Sequence, residues 1–294
     1  MELEALLELL WSGDREAKDE LRRMGARAAA AVPALADAVS KGPRRLKLDA
    51  LFVLEGMGPA ARAAVPALVA ALESGDMDVG ARAADALGVV GEAAVDGLVR
   101  ALDHASWRVR QGACQALGVM GVAGARAVPK LVQIAASDRD EVRERAVWAL
   151  GEIGDDRCLQ PLATIFTREG GPLGCWIAEA FGRFGRRARP AADALRAELH
   201  RDDPWLALAA AEALRRIGRH EDACVWALLT LLQSGDAEVR TEAATSLGDF
   251  GPRAAGALPV LRAAEKDEDE DLRTQATIAI LKIRPEAIAA DRAD

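Results

Sequence analysis

Apolar and small residues return along the chain at steps of three and four, in blocks that close on a glycine. Val79, Ala83, Leu87 and Val90 make one such block, and Val142, Ala146, Leu150 and Ile153 another. Steps averaging 3.6 residues put these side chains on one face of a helix, and the glycine that follows suits a left-handed (αL) C-terminal cap. The blocks are DALGVVG ending at Gly91, QALGVMG at Gly121, WALGEIG at Gly154, EAFGRFG at Gly185, EALRRIG at Gly218 and TSLGDFG at Gly251. ELRRMG at Gly25 and LFVLEGMG at Gly58 precede them, and IAILKIR at Arg284 follows. Successive anchors are 33, 33, 30, 33, 31, 33, 33 and 33 residues apart, a regularity that marks a repeat architecture.

After each anchor a short turn leads into a second helix, as in AVPALVAALESGD and AVPKLVQIAASD. Pro33, Pro66, Pro129 and Pro259 recur at one position of that helix, where only its first turn tolerates them. Each unit is thus a helix–turn–helix pair that cannot bury its apolar face alone, so the units stack around a continuous core. The predicted fold is all-α, a solenoid of about 8.5 hairpins forming one domain over residues 1–294. Residues 1–25 read as an N-terminal cap region: 3–12 match a second helix, and DREAKDELRRMG is a short, polar first helix. Pro285 stops the ninth first helix and leaves 285–294 as a capping or frayed tail.

Two other repeats have nearly this period. Tetratricopeptide units carry a W-x-x-L-G-x-x-Y pattern, which a chain without tyrosine cannot supply, and the ankyrin T-P-L-H-x-A pattern is absent. The stretches Glu141-Val142-Arg143…Ala146…Ala149-Leu150-Gly151-Glu152-Ile153-Gly154 and Asp236-Ala237-Glu238-Val239-Arg240…Leu247-Gly248-Asp249-Phe250-Gly251, with the Val-Pro-x-Leu helices, are what the repeat is built from. They resemble the short HEAT-like repeats of phycobilisome bilin-lyase subunits. That resemblance covers nearly the whole chain and implies a right-handed α-solenoid, or superhelix. It also implies a function reading, an accessory subunit of a bilin-lyase-like enzyme, although no pigment pocket is marked in the residues.

Composition agrees with helices: aromatics are 4%, tyrosine is absent, and much of the 51% hydrophobic content is alanine. Cys114, Cys158, Cys175 and Cys224 have no C-x-x-C spacing, which points to neither zinc nor a disulfide framework and fits a reducing, cytoplasmic setting. The opening MELEALLELLWSGD is apolar only briefly and carries three glutamates, unlike a signal peptide or a membrane span, so no membrane partner is expected. A net charge of −8 argues against general nucleic-acid binding. Locally the balance differs, with ten arginines against seven acids over 168–219 and fifteen acids against eight bases over 220–294.

No chemistry-bearing motif survives the repeat. Gly56-Met57-Gly58 with Ala61 and Asp78 imitates a dinucleotide fingerprint, as does Gly118-Val-Met-Gly121-Val-Ala-Gly124, but both fall at helix ends, without the strand such a site needs. His104, His200 and His220 lie in different repeats with no ligand spacing, and no nucleophile or acid–base pair is indicated. The expectation is a non-enzymatic scaffold with no catalytic residue, cofactor or metal.

Solenoids present an extended concave surface lined by their second helices. Stepping from the proline position by four and then three residues gives its polar row. It reads Glu4, Glu8, Trp11; Pro33, Asp37, Ser40; Pro66, Ala70, Glu73; Asp96, Arg100, Asp103; Pro129, Gln133, Ala136. It continues Gln160, Thr164, Thr167; Asp193, Ala197, His200; Trp226, Thr230, Gln233; Pro259, Ala263, Lys266. A protein or peptide partner is expected there, with Trp226, which stands where proline is usual, as its anchor. Trp107, Trp148, Trp176 and Trp205 lie in or before first helices and read as structural or convex.

The alternative partner is a nucleic acid or phosphate-bearing ligand at Arg183, Arg186, Arg187 and Arg189, set against a solvated turn balanced by Glu179, Asp193 and Glu198. Arg110, Arg143, Arg240 and Arg273, with Lys47 at the same position, are expected to pair with turn acids such as Asp138 and Asp236 and to fix the stacking register. The run Glu265–Asp271 reads as a solvated turn. Leu48, Phe52 and Gly56 replace polar residues on the outer face and form a second candidate contact patch if exposed.

Overall fold

A computed structural model describes residues 3–284; the expected tail at 285–294 lies outside the described residues. Its contacts cluster into two compact units, Met1–Cys158 and Leu159–Asp294, where the sequence reading draws one domain. The first unit runs α1 (Leu3–Ser12), α2 (Arg15–Met24), α3 (Val32–Lys41), α4 (Arg44–Met57), α5 (Val65–Ala71), α6 (Met77–Val90), α7 (Val95–Ala101), α8 (Trp107–Met120), α9 (Val128–Ser137) and α10 (Asp140–Ile153). The second runs α11 (Leu159–Arg168), α12 (Gly171–Phe184), α13 (Ala192–Glu198), α14 (Pro204–Ile217), α15 (Glu221–Leu231), α16 (Ala237–Asp249), α17 (Leu258–Ala264) and α18 (Glu270–Ile283). No strand occurs among the described residues. The fold is an all-α repeat solenoid.

In the first unit the even-numbered first helices stack in chain order, α2 on α4, α4 on α6, α6 on α8 and α8 on α10. The predicted core faces are buried: Val79, Ala83, Leu87 and Val90 are at most 2% exposed, as are Val142, Ala146, Leu150 and Ile153. From the second helices, each repeat sends one leucine inward two residues past the proline position. Leu35, Leu68, Leu98 and Leu131 in the first unit, and Leu162, Leu195, Leu228 and Leu261 in the second, are all 0% exposed. Side chains of that size fully buried contribute about 1.5–3 kcal/mol each, so this position anchors every hairpin to its neighbours.

The turns differ from expectation. The residues between first and second helix form a tight 3-10 helix, seven residues long at 25–31, 58–64, 121–127, 185–191 and 251–257. At Gly91 it shortens to four residues, which absorbs the 30-residue step of the repeat. Nor are most anchors αL caps. Gly25, Gly58, Gly91, Gly121 and Gly185 have positive φ but ψ between −127° and −143°, whereas Gly154 and Gly218 are αL. Positive φ with strongly negative ψ is the first central position of a type II′ turn, which is reserved for glycine, so the sequence signal is right and the geometry behind it is different.

Inter-repeat turns end on a helix N-cap. Asp76, Asp203, Asp236 and Asp269 accept backbone N–H bonds from the first turn of α6, α14, α16 and α18, respectively. Asp236, expected as an arginine partner, is spent on this cap. Two merged stretches, Arg44–Ala71 and Trp107–Ser137, are apolar enough and long enough for a membrane span by composition. Each is broken at its anchor glycine, and a 14-residue helix rises only about 21 Å, short of the roughly 30 Å hydrocarbon layer.

Candidate functional site

The buried leucine fixes how each second helix is rolled, and thereby which residues face solvent. Positions at the proline, four further and seven further lie away from that leucine. The structure leaves every residue of the predicted row exposed except Ala136, which is half-buried. α3 lies against α5 and α5 against α7, so the rows of these three helices form a continuous strip. In the second unit α11 meets α13 in the same way.

The first unit's strip is less acidic than its sequence suggests, because cations reach its carboxylates. Arg126 pairs with Asp96 at 3.0 Å, Lys130 with Asp103 and Lys41 with Asp37 at 2.9 Å, and the His104 imidazole lies 3.0 Å from Glu73. Arg100, Glu73, Pro66 and His104 also line a shallow cleft of about 280 Å³ between α5 and α7, and Gln133 and Asp103 line another between α7 and α9. In the second unit the strip is uncharged at α11 and α15. The hydroxyls of Thr164 and Thr230 donate to the carbonyls of Gln160 and Trp226, both at 3.1 Å, leaving them as acceptors. Asp193 pairs with His220 at 3.2 Å, tying the start of α13 to the residue before α15; His200 and Gln233 are exposed.

Trp226 is 70% exposed on α15. An indole held in water by a helix otherwise seated on its core is the feature of this surface that packing does not account for. Other tryptophans behave as expected for structural residues. The Trp148 ring fills the space above Gly118, and Trp107 is half-buried with the guanidinium groups of Arg139 and Arg108 4.4 and 4.9 Å from its ring centre. Trp11 and Trp205, each 41% exposed, are the exceptions.

The arginine block is partly committed. Arg183 donates to Glu179 at 2.9 Å and the Arg187 guanidinium stacks 4.9 Å over Phe184, while Arg186 and Arg189 are exposed in the 3-10 turn. Of the three balancing acids expected, Glu179 holds Arg183. Asp193 turns to His220, and the buried Glu198 lies 3.4 Å from Arg201.

The recurrent arginines act as expected at two places and by a more regular device than sequence shows. Arg110 reaches back to the carbonyls of His104 and Ala105 and forward, through two nitrogens, to Asp138 in the next turn. Arg240 reaches back to the carbonyls of Ser234 and Gly235 and forward through one nitrogen to Asp267 at 3.3 Å, and Arg273 repeats the backward half on the carbonyls of Asp267 and Glu268. Arg143 instead donates to the Ala135 carbonyl and lies 3.4 Å from Asp140. The acidic run at 265–271 is therefore a working turn: Asp267 receives Arg240 and Asp269 caps α18. Proximity to Arg110 holds the Asp138 carboxyl below the ordinary carboxylate range.

The patch at Leu48, Phe52 and Gly56 is not an open apolar surface. Arg22 and Lys18 from α2 lie 3.9 and 5.2 Å from the Phe52 ring centre, and the Arg22 stem fills the space a Cβ on Gly56 would need. Two larger cavities that no residue pattern signals, of about 440 and 430 Å³, lie between first helices. All four cysteines are free, and burial pushes the Cys175 thiol up to about 11 and that of Cys224 to about 12. Among the described residues no group of His, Cys, Asp and Glu is placed to hold a metal ion.

A stack of short helical hairpins with a polar row along its second helices defines a helical-repeat solenoid. The model for HEAT repeats matches residues 95–180 and 192–281, more than half of the chain, and the protein belongs to the HEAT-repeat family. No curated protein sequence matches it. Among solved structures, yeast importin-beta (Kap95p) aligns with a TM-score of 0.67 at 15% identity, covering 96% of this chain and 47% of its own. A chain of the complex of CpcE and CpcF of phycocyanin lyase from Nostoc sp. PCC7120 aligns with a TM-score of 0.50 at 24% identity, covering 76% of this chain and 87% of its own. The chain spans under half the length of the importin-beta structures, and at these identities the likeness is one of fold.

Proposed function

We propose that this protein is a non-enzymatic scaffold that holds a protein or peptide on its second-helix surface, with Trp226 as the central anchor and Thr230, Gln233 and Asp193 as polar neighbours. The observation that carries the reading is the 70% exposure of Trp226 within a row of polar residues. Large aromatics that cost nothing to desolvate on one face and offer a donor on the other are the residues that dominate binding energy at protein interfaces. Structural neighbours support a protein as the kind of partner: Kap95p is seen in complex with Nup1, and its binding changes the switch loops of RanGDP. The free thiols suit a reducing, cytoplasmic setting.

The arginine block supports a phosphate-binding reading less well, since Arg183 and Arg187 have occupants within their own unit. The test is affinity for a partner recovered from the native cell. Trp226→Ala is expected to weaken it by about 2 kcal/mol, roughly thirtyfold, and Asp193→Lys by less. Unchanged affinity in both variants would remove the proposal.

A further inference from the structure

The wall of first helices in the second unit is uneven. α12 lies along α14 and α16 along α18, whereas α14 and α16 meet over a short stretch only. The link between α14 and α16 also departs from the repeat. Gly218 ends α14 in the αL region, no 3-10 turn follows, and His220 turns the chain into α15 at a φ of 54°. Along this wall opens a cavity of about 430 Å³, within the range of sites that take a small ligand or an inserted side chain.

Its lining combines the indoles of Trp176 and Trp205 with Leu208 and Ala213, and includes the carboxylates of Glu179, Glu212 and Glu242 and one cation, Arg216, which Glu212 neutralises. Two of those carboxylates are engaged. Glu212 accepts from Arg215 at 2.7 Å and Arg216 at 2.6 Å, and Glu179 accepts from Arg183 at 2.9 Å. Among the described residues Glu242 has no cationic partner, and it is exposed. The cavity thus offers two aromatic surfaces, an apolar lining and one uncommitted negative charge. A cation on an apolar stem matches all three, and a guanidinium matches best, being planar, weakly hydrated and suited to stacking on indoles.

We infer that this cavity receives an arginine side chain presented by a partner protein. It lies on the first-helix side, so it is a second contact surface, independent of Trp226 on α15. The probe is the peptide acetyl-Ala-Arg-Ala-amide against its citrulline counterpart, which keeps shape and loses charge, titrated calorimetrically into the full chain. The arginine peptide is expected to bind about tenfold tighter than the citrulline one. Trp205→Ala is expected to weaken it about fivefold and Glu242→Gln about threefold, while Trp205→Phe retains most of the affinity and Trp226→Ala changes nothing. Trp205 is 41% exposed and Glu242 is exposed, and circular dichroism checks that the variants stay folded. Equal binding of the two peptides, no binding of either, a lysine peptide that outbinds the arginine one, or binding untouched by both Trp205→Ala and Glu242→Gln would overturn the assignment.

Discussion

Replacing Arg110 by alanine should open the stack between α7 and α9. The guanidinium makes four bonds. Two go to Asp138, one of them at 2.6 Å, and two to the carbonyls of His104 and Ala105 at 2.8 and 3.0 Å. The side chains of Arg110 and Asp138 are only 19% and 11% exposed. Exposed pairs contribute about 0–1 kcal/mol, and breaking a buried pair costs about 3–5 kcal/mol because the remaining charge is stranded. At this intermediate burial we expect Arg110→Ala to cost about 2 kcal/mol, and Asp138→Asn slightly less. Their coupling in a double-mutant cycle should be about 1–1.5 kcal/mol. The Asp138 carboxyl is held below its ordinary range chiefly by the Arg110 hydrogen bonds. A lowered carboxylate pKa stabilises the fold at pH values above the unfolded value of about 3.9, and that contribution disappears as pH falls through the folded value. Acid sensitivity below about pH 4 should therefore shrink in Arg110→Ala. Urea denaturation across pH, with hydrogen exchange localising the loss to 95–139, measures both effects. A coupling below about 0.3 kcal/mol would refute the view that this pair locks the repeats in register.

The glycines separate by contact, as Gly118 inside α8 and Gly235 in the turn before α16 illustrate. A Cβ on Gly118 would lie 2.2 Å from the Trp148 ring, so Gly118→Ala should cost about 1–3 kcal/mol, whereas Gly235→Ala meets nothing within 4 Å and should stay within about 0.5 kcal/mol in thermal denaturation. In the native protein a thiol reagent at pH 8 should modify the half-buried Cys175 first, slowly because burial raises its pKa to about 11. Cys114, Cys158 and Cys224 should react only on unfolding, and simultaneous modification of all four would contradict their burial. Trp226→Ala should change stability by no more than about 0.5 kcal/mol, which denaturation curves will show, because its ring is mostly in solvent.

Much of this architecture was legible because it is periodic. One leucine per second helix, two residues past the proline position, fixes the roll of every hairpin, and the exposed row follows from it almost without error. Single anomalies within the period were legible too, Trp226 above all. What sequence did not show are contacts between repeats that depend on distance. Arg22 covering Phe52 requires α2 and α4 to be stacked before the patch can be seen as closed. The turn aspartates carry two roles that look alike in sequence. Asp236 caps its own helix, while Asp138 and Asp267 receive an arginine from the preceding repeat. The glycine anchors were recognised, but two backbone geometries share that residue, and only coordinates separate Gly58 from Gly218. The cavity beside Trp205 arises from a spacing between α14 and α16 that no residue pattern encodes.

The binding role of the second-helix surface is tested most directly by parallel affinity capture from the native cell with the unmodified chain, Trp226→Ala and Gly235→Ala, each quantified by mass spectrometry. The account predicts a protein retained by the unmodified chain and by Gly235→Ala and depleted at least tenfold by Trp226→Ala. Equal retention by all three would contradict it.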